Sequence, residues 1–497
     1  MEDSKETYKD IFKTTSLFGG VQVFSVLIAV IRSKIVAVLL GPGGQGMLGL
    51  LQLPLGIITL ITELGLGASS VRDIANAKTD GDEIKISKTI KTVRRWVWFT
   101  GILGMLVVIV LSPLLSKWTD AGTNYTYAFL LLSVTLLFAA ISGGQTAVLR
   151  GLRRIKDTAR VGLIGASLGL IVSIPFYFLY GIKGIVPTLI ITSFIGLLTS
   201  WYYSRKVKLQ PVTISYKESF FQGGEMIKLG MIITASNFIS QVVSYLIVLY
   251  INKQSGKDFV GFYNVGWTIS NQYVALVFTA MTVDYFPRLI SLRSNREKMS
   301  EAVNQQAEIA ILIIAPLMLI FIAFLPLIIR LMYSVKFLPI IDFVQWTILG
   351  MLFKAASWAL SHIIVAKGDN RLFFFSELIM SAITLPLNIA GYALLGLKGI
   401  GIAFVIQYVI YFIAMVLVAQ KKYQIHFSKE FNKLFSIQFV LCFLCFIAVV
   451  LKGYPFTHII GSILFILSAA YSIKILNNKM DIKAIVKKRK SLKNNKK

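Results

Sequence analysis

The feature that most constrains this chain is a series of apolar runs, each about 20 residues or longer, joined by short polar connections. A run of that length crosses the hydrocarbon of a bilayer as a helix, because lipid offers no partner to a backbone N–H or C=O and the helix satisfies both internally. Fourteen runs are predicted, near 12–40, 44–66, 94–116, 125–149, 159–180, 184–204, 224–251, 258–284, 303–329, 341–366, 372–395, 399–420, 432–451 and 456–475. Short connections make successive helices antiparallel and leave no room for a separate soluble domain. The expected fold is therefore an all-α polytopic membrane protein with about 14 transmembrane helices. Only 15% of the 497 residues are charged, against about 25% in soluble domains.

The net charge of +28 would suit a nucleic-acid binder until its positions are read. Of the 51 Lys and Arg residues, 40 fall in connections on one side of the predicted membrane, eight on the other, and three inside helices. That asymmetry is the positive-inside pattern, so both termini are expected in the cytoplasm and no nucleic acid is expected as partner. The opening MEDSKETYKD carries both signs of charge and precedes an apolar run too long for a signal peptide, so no cleavable signal is predicted. The Lys-rich tail reads as a solubilising, topology-fixing segment or as a contact for anionic headgroups.

The chain also repeats itself. GIKGIVPTLIITSFI, Gly181 to Ile195, resembles GLKGIGIAFVIQYVI, Gly396 to Ile410, at an offset of 215, which also pairs Gly46 with Gly261. The offset spans six helices, so the halves share one topology, as in transporters whose substrate site lies between repeats. The expected organisation is an N-terminal six-helix lobe at 1–215, a C-terminal six-helix lobe at 216–425, two additional helices at 426–475 and a basic tail at 476–497.

Three cations interrupt the apolar runs: Arg32, Lys34 and Lys354. A Lys or Arg at a membrane helix centre costs about 2.5–3.5 kcal/mol on insertion scales, so such groups face water or a partner. Arg32 and Lys34 lie roughly 10–13 Å below the Gly/Pro turn that follows them, within partial reach of the interface by snorkelling. Two positions apart on a helix, they point about 200° from each other. Lys354 lies near mid-helix, where snorkelling is least credible; its alternative is an ion pair with Glu63, Asp342 or Glu377. At the repeat offset the three cations meet Ile247, Leu249 and Ala139, which argues for a one-sided task such as holding an asymmetric anion. A planar guanidinium suits a phosphate bidentately, and an ammonium acts as a point charge.

Glu63, Asp284, Glu308 and Glu377, with His362, sit near the cytoplasmic ends of their helices. They are candidates for H⁺ or Na⁺ coupling, or for gate and cap contacts with the basic connections. Asn237 and Gln241 on the seventh run, and Asn264 and Asn271 on the eighth, form polar stripes that suit sugar contacts or hydrogen bonds between helices. GPGGQG at 41–46 matches a nucleotide-binding pattern, but no strand precedes it, so it reads as a turn. Cys442 and Cys445 read as helix packing, and no metal site, catalytic triad or phosphate loop is present, so no catalytic residue, metal or cofactor is expected.

RSKIVAVLLGPGGQGMLGL (Arg32 to Leu50), FPRLISL (Phe286 to Leu292) and the stretch from Lys336 to Leu378 resemble the Wzx-type flippases of the multidrug/oligosaccharidyl-lipid/polysaccharide (MOP) superfamily. The resemblance covers the first twelve helices. It implies two six-helix lobes around a cavity open to one side at a time, in the bacterial inner membrane. It implies, as substrate, an undecaprenyl-pyrophosphate-linked oligosaccharide, such as an O-antigen unit, moved from the cytoplasmic to the periplasmic leaflet. A polysaccharide polymerase and a chain-length regulator are then natural partners beside membrane lipids. Cavity cations in the first and tenth helices are what that family would use for the pyrophosphate, and Lys34 and Lys354 match those positions. The last two helices are similar to the extra pair of lipid II flippases, which forms a groove for the polyprenyl tail. The alternatives are a cation-coupled multidrug exporter, which would want acids deep in its cavity where this chain has cations, and a membrane polysaccharide enzyme, which would want large or acidic outer loops.

Overall fold

Every apolar run becomes a helical stretch. The computed structural model describes residues 2–119, 123–452 and 456–480, and no strand occurs among them. The helices are α1 (Glu2–Thr62), α2 (Leu66–Thr79), α3 (Glu83–Thr119), α4 (Thr126–Gly151), α5 (Ile155–Tyr180), α6 (Ile185–Arg205) and α7 (Tyr216–Ser255). They continue as α8 (Lys257–Trp267), α9 (Tyr273–Ser291), α10 (Arg296–Met332), α11 (Ile341–Ala366), α12 (Asn370–Tyr423), α13 (Lys429–Lys452) and α14 (Phe456–Met480). Among the described residues, nine stretches are long and apolar enough to cross a membrane, and a span such as Ile155–Arg205 holds 51 residues, enough for two crossings. The protein is a multi-pass membrane protein. Most of the basic tail, 481–497, lies outside the described residues, as does the side chain of Asp284.

Glycine supplies the breaks inside the long stretches. Gly41 divides α1 with φ 65° and ψ −167°, and Gly396 divides α12 with φ 58° and ψ −141°. Both conformations have positive φ, which glycine adopts at little cost and residues bearing a Cβ do not. Each has its counterpart 215 residues away: Gly256, with φ 81° and ψ 178°, ends α7, and Gly181, with φ 54° and ψ −131°, ends α5. The internal repeat is thus present in backbone conformation as well as in sequence.

Packing divides the chain into two compact units, Met1–Phe262 with Met332–Lys336, and Tyr263–Leu331 with Phe337–Lys497. In the first, Val36, Leu51, Val108, Phe129, Leu136 and Tyr177 bring α1, α3, α4 and α5 around one apolar core. A second cluster, with Leu66, Ile74, Ile90, Trp96 and Met226, ties α2 and α3 to α7. The amphipathic α2 is not among the predicted runs, since it is short and polar on one face. Gly46 and Gly261 also meet in this unit. A Cβ on Gly46 would lie 1.8 Å from the Lys257 carbonyl oxygen, and one on Gly261 would lie 1.9 Å from that of Pro42. Residues 42 and 257 are themselves related by the 215 offset, so the contact is two-fold symmetric.

In the second unit, α11 is the central helix, with most of its residues buried. Leu360, Ile363 and Ile364 pack with Tyr285, Leu289, Met299, Met415 and Ala419. Cys442 and Cys445 are buried and unoxidised in α13, where the Cys442 thiol lies 3.7 Å from the Ala315 carbonyl oxygen.

Candidate functional site

The second unit places a polar cavity around Lys354. One face of α11 supplies Lys354, Ser357, Trp358 and Ser361, whose spacings of three and four residues put them on one stripe. The first half of α12 supplies Glu377 and Met380. Its second half, beyond Gly396, returns Gln407, Tyr408 and Tyr411. The cavity measures about 210 Å³, room for about seven waters at ~30 Å³ each. That volume admits a phosphate-sized group.

Lys354 is held without being neutralised. Its Nζ donates to Asn271 Oδ1 at 2.8 Å and lies 5.2 Å from the Tyr408 ring centroid and 5.8 Å from that of Phe404. Amide and ring faces both favour a cation but carry no net charge. Among the described residues no carboxylate comes within 4.0 Å of Nζ, so neither Glu63, Asp342 nor Glu377 forms the alternative ion pair. Asn271 lies in a π-helical turn, Thr268–Gln272, between α8 and α9. Single π-turns often mark functional positions. Its Nδ2 is buried and has no hydrogen-bond partner among the described residues. The cation lines the cavity, whereas the Asn271 amide that holds it is not part of the lining. Glu377 lines the same cavity and accepts a hydrogen bond from Tyr411 at 3.3 Å.

The remaining predicted residues are dispersed. His362 is enclosed by the rings of Trp358, Tyr285 and Phe286, and its Nδ1 lies 2.9 Å from the Trp358 carbonyl oxygen. Glu308 is 4% exposed and pairs with Lys479 of α14, apart from the cavity. Asn264 is in α8, part-buried, in the second unit. In the first unit, Arg32 and Lys34 are part-buried, and the Arg32 guanidinium lies beside the Tyr177 phenol. Asn237 is exposed and Gln241 part-buried on α7, and Glu63 is in the turn after α1.

Sequence reasoning missed the aromatic and polar wall of Trp358, Gln407, Tyr408 and Tyr411. The repeat could have found it. At the 215 offset, Lys354, Trp358, Glu377, Tyr408 and Tyr411 correspond to Ala139, Gly143, Gly162, Ser193 and Gly196. Positions that bear charge and rings in one unit bear small residues in the other. Nothing lies within 4 Å of a Cβ built on Gly143, Gly162 or Gly196, so this face of the first unit is open.

An internal repeat of membrane helices broken by glycine, and a polar cavity in the second unit lined by both Lys354 and Glu377, suit a membrane transport protein. The chain belongs to the family described as polysaccharide biosynthesis protein, whose model matches residues 35–342. It is 20% identical over 391 residues to the lipid III flippase of Escherichia coli (strain K12), covering 76% of this chain and 91% of that one. It is 24% identical over 396 residues to a candidate O-antigen transporter of Shigella flexneri, covering 77% and 91%. The fold is similar to that of the lipid II flippase MurJ in an inward closed conformation, with TM-score 0.72 and 14% identity over 93% of this chain and 99% of that one. It is also similar to an inward-facing multidrug resistance transporter of the MATE family, with TM-score 0.69 and 15% identity over 82% and 96%.

Proposed function

We propose that this protein is a Wzx-type flippase that carries an undecaprenyl-pyrophosphate-linked oligosaccharide, such as an O-antigen or other surface-polysaccharide unit, across the bacterial inner membrane by alternating access. The observation that carries the reading is Lys354: a membrane-embedded ammonium that, among the described residues, has no carboxylate within 4.0 Å and is held by the amide oxygen of Asn271. A headgroup pyrophosphate compensates the cation and accepts from the Lys354 ammonium. Arg32 and Lys34 serve the same headgroup from the first unit, and the polar groups of α7 and α8, Asn237, Gln241 and Asn264 among them, serve the sugars. The polyprenyl tail stays in the bilayer. Both termini and the basic connections face the cytoplasm, where the lipid-linked unit is loaded.

No covalent step is required, so the protein acts as a transporter and not as an enzyme. A multidrug exporter of the same fold would carry cationic compounds, and Lys354 and Arg32 would repel them. A ligand shifts the two access states only through its differential affinity for them. The drive is supplied either by H⁺ or Na⁺, with Glu377 beside the cavity as the acid best placed to couple it, or by consumption of the flipped unit by a polymerase and its chain-length regulator.

The test is deletion of the gene. Undecaprenyl-linked oligosaccharide should accumulate on the cytoplasmic leaflet, inaccessible to a periplasmic glycosidase, and the wild-type gene should restore access. Unchanged access in the deletion strain would refute the proposal.

A further inference from the structure

The two repeats expose the same groove to different fates. In the second unit, Phe353 of α11 and Phe412 of α12 are covered by α13. Phe435 lies 5.6 Å from Phe353 and 5.8 Å from Phe412, and Phe439 lies 5.3 Å from Phe353, between ring centroids. In the first unit, the equivalent residues, Phe138 and Leu197, line a groove of about 600 Å³ between α3, α4 and α6, where no other helix of that unit contributes to the lining and Trp98, Leu198 and Trp201 are exposed.

The lining changes accordingly. Arg94, Trp98, Gln145, Trp201 and Arg205 line the open groove. At the 215 offset the covered groove has Ile309, Ile313, Leu360, Val416 and Gln420. The groove of the first unit has thus acquired two guanidinium groups and two indoles, while its floor stays apolar. Arg94 and Arg205 are exposed, and neither meets a carboxylate within 4.0 Å among the described residues. Arg205 lies over Trp201, 5.2 Å from its ring centroid. Ser204, also lining the groove, is 2% exposed, and its hydroxyl has no hydrogen-bond partner among the described residues.

We infer that this groove binds an anionic phospholipid, whose acyl chains occupy the place that α13 takes in the other repeat. Arg205 is the last residue of α6, and Arg94 lies within α3 where its polar first turns give way to the apolar run, so both stand where apolar segments meet basic ones, and the phosphate meets them there. Trp98 and Trp201 flank the headgroup–chain boundary, where indoles partition. The chains lie along Leu137, Phe138, Ile141 and Leu197. No acid lines the groove, so the charge match is one-sided. Planar guanidinium groups recognise phosphate bidentately. The site is separate from the Lys354 cavity and does not rest on the flippase proposal.

The test is native mass spectrometry of the full-length protein, titrated in detergent with dioleoyl-phosphatidylglycerol and, separately, dioleoyl-phosphatidylcholine. Phosphatidylglycerol should bind selectively. In Arg94→Gln/Arg205→Gln its affinity should fall about thirtyfold, from roughly fivefold for each basic residue at an anionic lipid surface. Arg94→Lys/Arg205→Lys should retain most of the selectivity, which separates loss of charge from loss of fold, as should unchanged monodispersity of both variants. Equal binding of the two lipids, or selectivity unaffected by the glutamine pair, overturns the inference. Displacement of phosphatidylglycerol by millimolar inorganic phosphate would overturn it in favour of a free-anion site. A co-purifying apolar polypeptide that is lost with the glutamine pair would overturn it in favour of a protein cover.

Discussion

Replacing Lys354 with methionine sets transport and stability against each other. The substitution keeps the length and apolar stem of the side chain but removes the ammonium that donates to Asn271 at 2.8 Å. A hydrogen bond to a charged group contributes about 1.5–3 kcal/mol. If the headgroup accepts from Lys354 in the state that commits it to crossing, flux at limiting substrate falls about 10- to 150-fold. Stability moves differently. Asn271 loses its donor, at about 1–3 kcal/mol, while removal of a mid-membrane cation relieves about 2.5–3.5 kcal/mol on insertion scales. The two nearly cancel, so the melting temperature should stay within a few degrees of wild type. The assay is surface polysaccharide in a complemented deletion strain, read beside the amount and melting of the purified variant. Lys354→Arg should retain part of the flux. Full complementation by Lys354→Met, or a loss that tracks loss of folded protein, would refute the reasoning.

Four further outcomes follow from local geometry. Gly162→Phe or Gly196→Phe, introduced where nothing lies within 4 Å of a Cβ, should leave melting unchanged while reducing polysaccharide export. Gly46→Leu should lower stability by about 1–3 kcal/mol or more through overpacking, because its Cβ would meet the Lys257 carbonyl oxygen at 1.8 Å; thermal unfolding reads it. Lys479→Ala strands the buried Glu308 carboxylate and should cost about 1–3 kcal/mol, more than Glu308→Gln, as read by denaturation in detergent. The Tyr423 hydroxyl, followed by Lys422, holds the Asp369 carboxyl below its ordinary value. A depressed carboxyl contributes stability above its ordinary range and loses it as pH falls through the folded value. Melting should therefore decline below about pH 4, and Tyr423→Phe should flatten that decline.

The membrane helices were legible because lipid leaves the backbone one arrangement per run, and each of the fourteen apolar runs lies in a helical stretch. The repeat was legible in two short segments. Its depth was not, because Gly41 and Gly256, or Gly181 and Gly396, show their shared left-handed conformations only in the backbone. α2 escaped notice because an amphipathic surface helix of 14 residues carries no long apolar run. Lys354 stood out as an isolated charge, but its partner did not. Asn271 reaches it from 83 residues away through a π-turn that no local sequence pattern announces. The same holds for Gln407, Tyr408 and Tyr411, which the glycine break at Gly396 brings back beside Glu377.

The central claim is that Lys354 receives a pyrophosphate headgroup, and binding tests it most directly. Purified protein should melt at a higher temperature with undecaprenyl pyrophosphate than with undecaprenol, and Lys354→Met should reduce that difference while leaving the response to the neutral lipid intact. An equal stabilisation of wild type and Lys354→Met by the pyrophosphate lipid would contradict the account.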